Sequence, residues 1–169
     1  RRNARVDHGL MVQKRVGRGK VFVEYMPAEK AWYPVDATSY MHMDCLWVSG
    51  QYKGHGYANQ LLDVCSKDAR EKGKKGLTIL SSAKKKPFLA DGGFLRHRGF
   101  KVADTAEPFF QLLYLPFEEN APVPSFLPQA KQGMIDEKGI VLYYTHQCPF
   151  ANTYSGKIAE VAAKHGWPM

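Results

Sequence analysis

Gln51-Tyr52-Lys53-Gly54-His55-Gly56-Tyr57-Ala58 stands between a strand-like run and a helix-like run. Before it, residues 40–48 alternate as a strand, with Met41, Met43, Cys45 and Trp47 expected on one face and His42, Asp44, Leu46 and Val48 on the other. Both faces are partly apolar, so the strand is expected at the centre of a sheet. After the octet, residues 57–72 carry Tyr57, Leu61, Leu62, Val64, Cys65 and Ala69 on one helical stripe, and Gly73 ends the run. Leu77-Thr78-Ile79-Leu80 then reads as a short buried strand. Strand, turn, helix and strand in this order imply a parallel crossover.

A helix start leaves backbone N–H groups without partners and carries the positive end of the helix dipole. Glycines just before it let a bound anion approach the backbone closely, and a diphosphate suits such a turn. Gly54 and Gly56 are separated by a single residue, whereas a P-loop separates its glycines by four and follows them with Lys-Ser or Lys-Thr. A dinucleotide fingerprint needs a third glycine where Asn59 stands, and an acidic residue about 20 positions on. An isolated Gly-x-Gly more often marks only a tight turn. Here the flanking strand and helix favour the phosphate-binding reading.

Upstream, residues 10–16 and 20–26 read as two strands joined by the turn Gly17-Arg18-Gly19, a β-hairpin stopped by Pro27. Downstream, a short helix is expected within 88–98, although Gly92-Gly93 disfavours it, and further strands at 99–102 and 109–115. Pro116, Pro122, Pro124 and Pro128 then predict an extended linker that continues neither sheet nor helix. Beyond it, residues 139–145 read as a strand. Residues 154–165 read as a helix with Ile158, Val161 and Ala162 on one side, ended by Gly166.

The balance of 44% hydrophobic and 24% charged residues describes a folded chain rather than a disordered one. No run approaches the ~18 apolar residues of a membrane helix. The chain opens Arg1-Arg2-Asn3 with neither Met nor an apolar run, so no signal peptide is expected, and a fragment or processed chain is. The net charge of +8 attracts anions, and a phosphate-rich ligand accounts for part of it without nucleic acid, for which no motif is present. Cys45, Cys65 and Cys148 form neither a disulfide framework nor a metal set, and a reducing cytoplasmic compartment is expected.

The octet also matches the acetyl-CoA turn Gln/Arg-x-x-Gly-x-Gly/Ala through Gln51, Gly54 and Gly56. With the surrounding strands, the helix and the later Arg98-Gly99-Phe100, residues 8–117 resemble the core of GNAT N-acyltransferases. The likeness is nearest to the YoaP-like branch, which joins that core to a thioredoxin-like domain; residues 20–29, 45–50, 84–89 and 113–117 carry it. The resemblance implies an α/β (α+β) GNAT fold, a mixed central β-sheet flanked by helices. It divides the chain into an acetyltransferase core at 1–117 with its N-terminal helices absent, a Pro-rich linker at 118–138 and a partial thioredoxin-like segment at 139–169.

For the site, the resemblance implies a central strand that parts from its neighbour. Pantetheine of acetyl-CoA would then bond the backbone of Leu46, Trp47 and Val48. The amides of Lys53, Gly54, His55, Gly56, Tyr57 and Ala58 would hold the diphosphate, with Gln51 in the turn. Lys53 and His55 would add charge, and Ser81 or Ser82 a polar contact. Lys84-Lys85-Lys86 could meet the adenosine phosphate, though a lysine run is more often a solvated face. The partners implied are acetyl-CoA and a small-molecule or peptide amine, with no membrane; a homodimer is compatible.

Acyl transfer needs a neutral amine, hence a proton acceptor. Asp44 is the acidic candidate and His42 the second, with a purely structural role open for both. Cys45 could form an acyl-thioester, but its pattern with Met43 and Trp47 favours a packed thiol. The family's usual tyrosine acid falls at Leu95 here. In the C-terminal piece, Cys148-Pro149-Phe150-Ala151 stands where a Cys-x-x-Cys would, and Ala151 excludes a dithiol cycle. Three readings follow: an acetyltransferase, a catalytically weak CoA-binding regulatory module, and a monothiol redox protein centred on Cys148.

Overall fold

The computed structural model describes residues 11–14, 21–132, 139–142, 144 and 149–169. The expected turn at 17–19 and Cys148 lie outside the described residues. The chain divides into two compact units, residues 1–131 and 132–169.

The first unit is a mixed sheet flanked by helices. Its strands are β1 (Met11–Lys14), β2 (Val21–Pro27), β4 (Met41–Val48), β5 (Gly76–Ser82), β6 (Lys101–Ala106) and β7 (Phe110–Pro116), in the spatial order β1-β2-β4-β5-β7-β6. β1, β2 and β4 pair antiparallel, as do β5, β7 and β6, while β4 and β5 are parallel. Helix α1 (Tyr57–Glu71) makes the crossover between the two parallel strands. Its Leu61, Leu62, Cys65 and Ala69 pack on Val21, Val23, Tyr25, Met41, Met43, Leu77 and Ile79. Val64, expected in that stripe, is exposed. At 100° per residue it lies about 110° from the centre of the buried arc, beyond the width an apolar face covers.

Strand β4 departs from simple alternation. Glu24 of β2 faces Cys45 and the next residue, Tyr25, faces Met43, so Asp44 is the extra residue of a β-bulge. The bulge exchanges the faces beyond it. Met41 and Met43 therefore share the α1 face with Leu46 and Val48, not with Cys45 and Trp47. On the opposite face, Cys45 and Trp47 follow His42, and across β2 they meet Glu24 and Phe22.

Helix α2 (Gly92–His97) is shorter than expected and begins on the glycine pair. Asp91 caps it, accepting hydrogen bonds from the amides of Gly93 (2.9 Å) and Phe94 (3.2 Å). Gly92 is required by packing, since a Cβ there would lie 2.8 Å from Ser81 Oγ.

The proline-rich segment is not a free linker. Strand β3 (Val35–Asp36) pairs with β8 (Ser125–Phe126), and α3 (Pro128–Gln132) follows. Tyr40 donates its hydroxyl to the Pro122 carbonyl (2.6 Å), Leu127 donates its amide to the Pro34 carbonyl (2.8 Å), and Phe126 donates its amide to Asp104 (2.9 Å). Prolines lack N–H groups but keep carbonyls, and those carbonyls accept here.

In the second unit, α4 (Pro149–Lys164) starts earlier than expected and ends before Gly166 (φ +66°). Ala162 is buried, but Ile158 and Val161, expected beside it, are exposed. The strand expected over 139–145 is not formed at 139–142 or 144; its remaining residues lie outside the described ones. Among the described residues, no helix is long and apolar enough to cross a membrane.

Candidate functional site

The β4–β5 ladder is short. It runs from Met41 opposite Leu77 to Met43 opposite Ile79 and stops. Beyond it, β4 continues against β2 as far as Val48, and β5 continues against β7 as far as Ser82. The two strands therefore part at Asp44, where the bulge raises the local twist. A wedge opens between residues 44–48 and 80–82, and the β4 edge facing it has left its ladder. Leu46 and Val48 lean on the core, while Trp47 is 42% exposed on the other face.

At the mouth of the wedge β4 runs into a 3-10 turn, Gly50–Tyr52, and then into α1. Gly54 (φ +80°) and Gly56 (φ +73°) both hold the left-handed conformation that favours glycine, and Gly56 is the N-cap of α1. No side chain caps this helix and its first turn carries no acidic residue, so the positive end of the dipole is uncompensated by either device. A Cβ at Gly54 or Gly56 would meet nothing within 4 Å, which leaves open space over the turn. Gln51, Lys53 and His55 are exposed, while Tyr57 and Ala58 are half-buried at the helix start. The His55 and Tyr57 rings lie 5.9 Å apart.

Across the wedge, Ser82 is buried at the end of β5 and donates its hydroxyl to the Lys84 carbonyl (2.6 Å). Ser81 donates to the Ala90 carbonyl (2.8 Å), securing the loop that leads to α2. Of the lysine run, Lys85 pairs with Asp91 (2.9 Å) and Lys86 lies 4.4 Å over the Phe109 ring, while Lys84 is exposed.

The throat of the wedge holds the ionisable groups. Asp44 accepts a hydrogen bond from the Tyr33 hydroxyl. The Tyr33 ring also lies 4.6 Å from that of His42, on the face away from α1. His42 is fully buried, with Nδ1 3.0 Å from Thr78 Oγ1. Burial pushes its pKa down to about 4, so it is neutral at pH 7. Cys45 is half-buried and stands opposite the buried Glu24. Burial and the nearby Asp68 push the Cys65 thiol up, which makes it a packing residue. Leu95 is fully buried in the core.

Neither Tyr33 nor Glu24 stands out in the sequence. Alternation of Phe22, Glu24 and Met26 along β2 could have placed Glu24 on the sheet face. Tyr33 sits in a loop and carries no periodic signal.

The state of His42 sets a pH dependence. An unfolded histidine titrates near 6.5 and folded His42 at about 4. Between these values the unfolded chain binds more protons. The stability is complete above about pH 6.5 and falls as pH drops toward 4, by up to about 3 kcal/mol. Denaturant unfolding at pH 7 and pH 4.5 is expected to show a smaller difference for His42→Gln than for the wild type.

Residues 34–110 match the family model of the acetyltransferase (GNAT) domain. The uncharacterized N-acetyltransferase YoaP of Bacillus subtilis (strain 168) is 45% identical over 163 residues, which cover 96% of this chain; the chain spans 65% of that relative's length. Among solved structures, the PaiA N-acetyltransferase of Thermoplasma acidophilum in complex with coenzyme A is 18% identical, with a TM-score of 0.44 over 57% of this chain and 52% of that one. The ribosomal-protein-S18-alanine N-acetyltransferase of Escherichia coli is 15% identical, with a TM-score of 0.45 over 67% of this chain and 74% of that one.

Proposed function

We propose, from the match of residues 34–110 to the acetyltransferase (GNAT) domain model and the 45% identity to the Bacillus subtilis relative, that the chain is a GNAT acetyltransferase that binds acetyl-CoA and transfers its acetyl group to an amine. The observation that carries the proposal is the meeting of two features on one strand. β4 leaves its parallel neighbour at Asp44 and, a few residues later, delivers the chain to a glycine turn at the start of α1. An extended pantetheine fits along the freed edge at Leu46, Trp47 and Val48, bonding it as an added strand would. The diphosphate then falls over the amides of Lys53, Gly54, His55, Gly56, Tyr57 and Ala58. Gln51 stands in the turn, Lys53 and His55 add positive charge or donors, and Ser82 lines the far side of the wedge.

In this arrangement the thioester comes to rest near Asp44, the last point at which the wedge is narrow. The attacking amine must lose a proton, and the Asp44 carboxylate is the acceptor we assign. His42, neutral and buried against Thr78, shapes the throat rather than moving protons. Cys45 stands beside the same point as the candidate for a covalent acyl-thioester. The acceptor we propose is a small-molecule or peptide amine, and the setting a reducing cytoplasm, in keeping with the reduced thiol of Cys65.

The buried Leu95 favours one other reading, a CoA-binding module with little turnover. CoA release from acetyl-CoA, followed with a thiol reagent across a panel of small amines and peptides, separates the two. A transferase releases CoA faster with at least one amine than with buffer alone. A binder shows the same background rate with every amine.

A further inference from the structure

Tyr33 lies at the throat with its hydroxyl committed to Asp44. Its loop is held from both sides. Val35 donates its amide to the Tyr33 carbonyl (2.8 Å), β3 pairs with β8 immediately afterwards, and Leu127 bonds the Pro34 carbonyl (2.8 Å). The ring rests against His42. Tyr33 is thus a fixed phenol, half-buried, beside the residue at which β4 and β5 part.

Acyl transfer requires two proton movements. The amine nitrogen must lose a proton as it joins the acetyl carbon, and the departing sulfur must gain one if it is to leave as a thiol. Leu95, fully buried, supplies no proton to the sulfur. We infer that Tyr33 and Asp44 form a proton relay in which Tyr33 is the acid for the departing CoA thiolate and Asp44 recharges it. The inference rests on the acetyl-CoA reading of the wedge.

The step balances as follows. A neutral amine adds to the thioester carbonyl, forming the C–N bond and a tetrahedral adduct. Asp44 takes the proton from its nitrogen. The adduct collapses, the carbonyl re-forms and the C–S bond breaks with its electron pair on sulfur. That sulfur takes the Tyr33 hydroxyl proton, and Asp44 returns its proton to the Tyr33 oxygen. Amide and CoA thiol leave, and both residues are restored. The hydrogen bond from Tyr33 to Asp44 is the link along which the second transfer runs. Glu24, His42 and Cys45 share this sheet face, so the relay works among other ionisable groups.

The test uses the whole chain with acetyl-CoA as the probe. Tyr33→Phe keeps the ring against His42 and removes only the hydroxyl. Asp44→Asn keeps an acceptor for Tyr33 and removes the capacity to carry a proton. Both variants are expected to bind acetyl-CoA in calorimetry as the wild type does, and to melt within a few degrees of it. Both should release CoA about 100-fold more slowly with the best amine of the panel. The Tyr33→Phe deficit should narrow above about pH 8.5, where a thiolate needs no proton to persist; a merely structural loss would not follow the thiol in this way. Wild-type release matched by Tyr33→Phe at every pH overturns the relay alone. A wild type that binds acetyl-CoA but never exceeds the buffer rate overturns the transferase reading and the relay together. A wild type that does not bind acetyl-CoA overturns the site assignment beneath both.

Discussion

Gly54→Val is expected to weaken acetyl-CoA binding by at least about 100-fold while leaving the fold in place. Gly54 holds φ +80°, and nothing lies within 4 Å of the position its Cβ would take. A valine there has room for its side chain but not for its backbone, because a β-branched residue strains at positive φ by roughly 1–3 kcal/mol. The turn relieves that strain by rotating, and the amides it presents turn with it. The proposed diphosphate then loses charge-assisted hydrogen bonds worth about 1.5–3 kcal/mol each. Two of them account for at least 100-fold in affinity. Calorimetry with acetyl-CoA and a parallel thermal melt check both halves of the expectation. A variant that binds as tightly as the wild type would remove the glycine turn from the site.

Gly76→Ala is expected to strike the fold itself. Gly76 opens β5, where a Cβ would lie 2.3 Å from the Leu115 carbonyl oxygen and 2.6 Å from Tyr40 Cε1. The carbonyl belongs to the neighbouring strand and cannot move without disturbing the β5–β7 ladder. The Tyr40 ring is equally constrained, since its hydroxyl bonds the Pro122 carbonyl. Relief must come from parting β5 from β7 or from expelling Tyr40, and the latter breaks its bond to the proline-rich segment. A cost of about 3 kcal/mol follows, with a melting temperature lower by about 10 °C. Differential scanning calorimetry measures it. An unchanged melting temperature would mean that the packing at this strand start is looser than described.

The two substitutions probe features of different legibility. The turn, α1 and the parallel crossover could be read from residues 40–80 because each obeys a local rule: glycines where φ is positive, a helical apolar stripe, and apolar runs of strand length. The faces of β4 could not. Asp44 reads as an ordinary member of an alternating strand, and only the pairing with β2 reveals it as the extra residue. One residue of slip exchanges every side chain beyond it, so simple alternation puts Leu46 and Val48 on the wrong face. The proline-rich segment is hard to read for a similar reason. Its prolines exclude long ladders, but a two-residue pairing with β3, the Pro122 carbonyl and the Phe126 amide suffice to hold it in place. Gly92 reads as a defect in a helix, because its packing against Ser81 is set by a distant strand.

The proposed chemistry divides along the same line. The proposed anion-binding turn depends on local backbone and rests on eight consecutive residues. The throat depends on residues brought together from β2, β4, β5 and the loop at Tyr33. Asp44 was within reach as a polar residue on a central strand, whereas its partner Tyr33 was not, because no spacing links the two.

The most direct measurement of the central claim is a titration of the isotopically labelled chain with acetyl-CoA, followed through backbone amide resonances. The account predicts saturable shifts concentrated at Leu46, Trp47 and Val48 on the open edge of β4 and at residues 53–58 over the glycine turn. No shifts at saturating acetyl-CoA, or shifts that leave both stretches untouched, would contradict it.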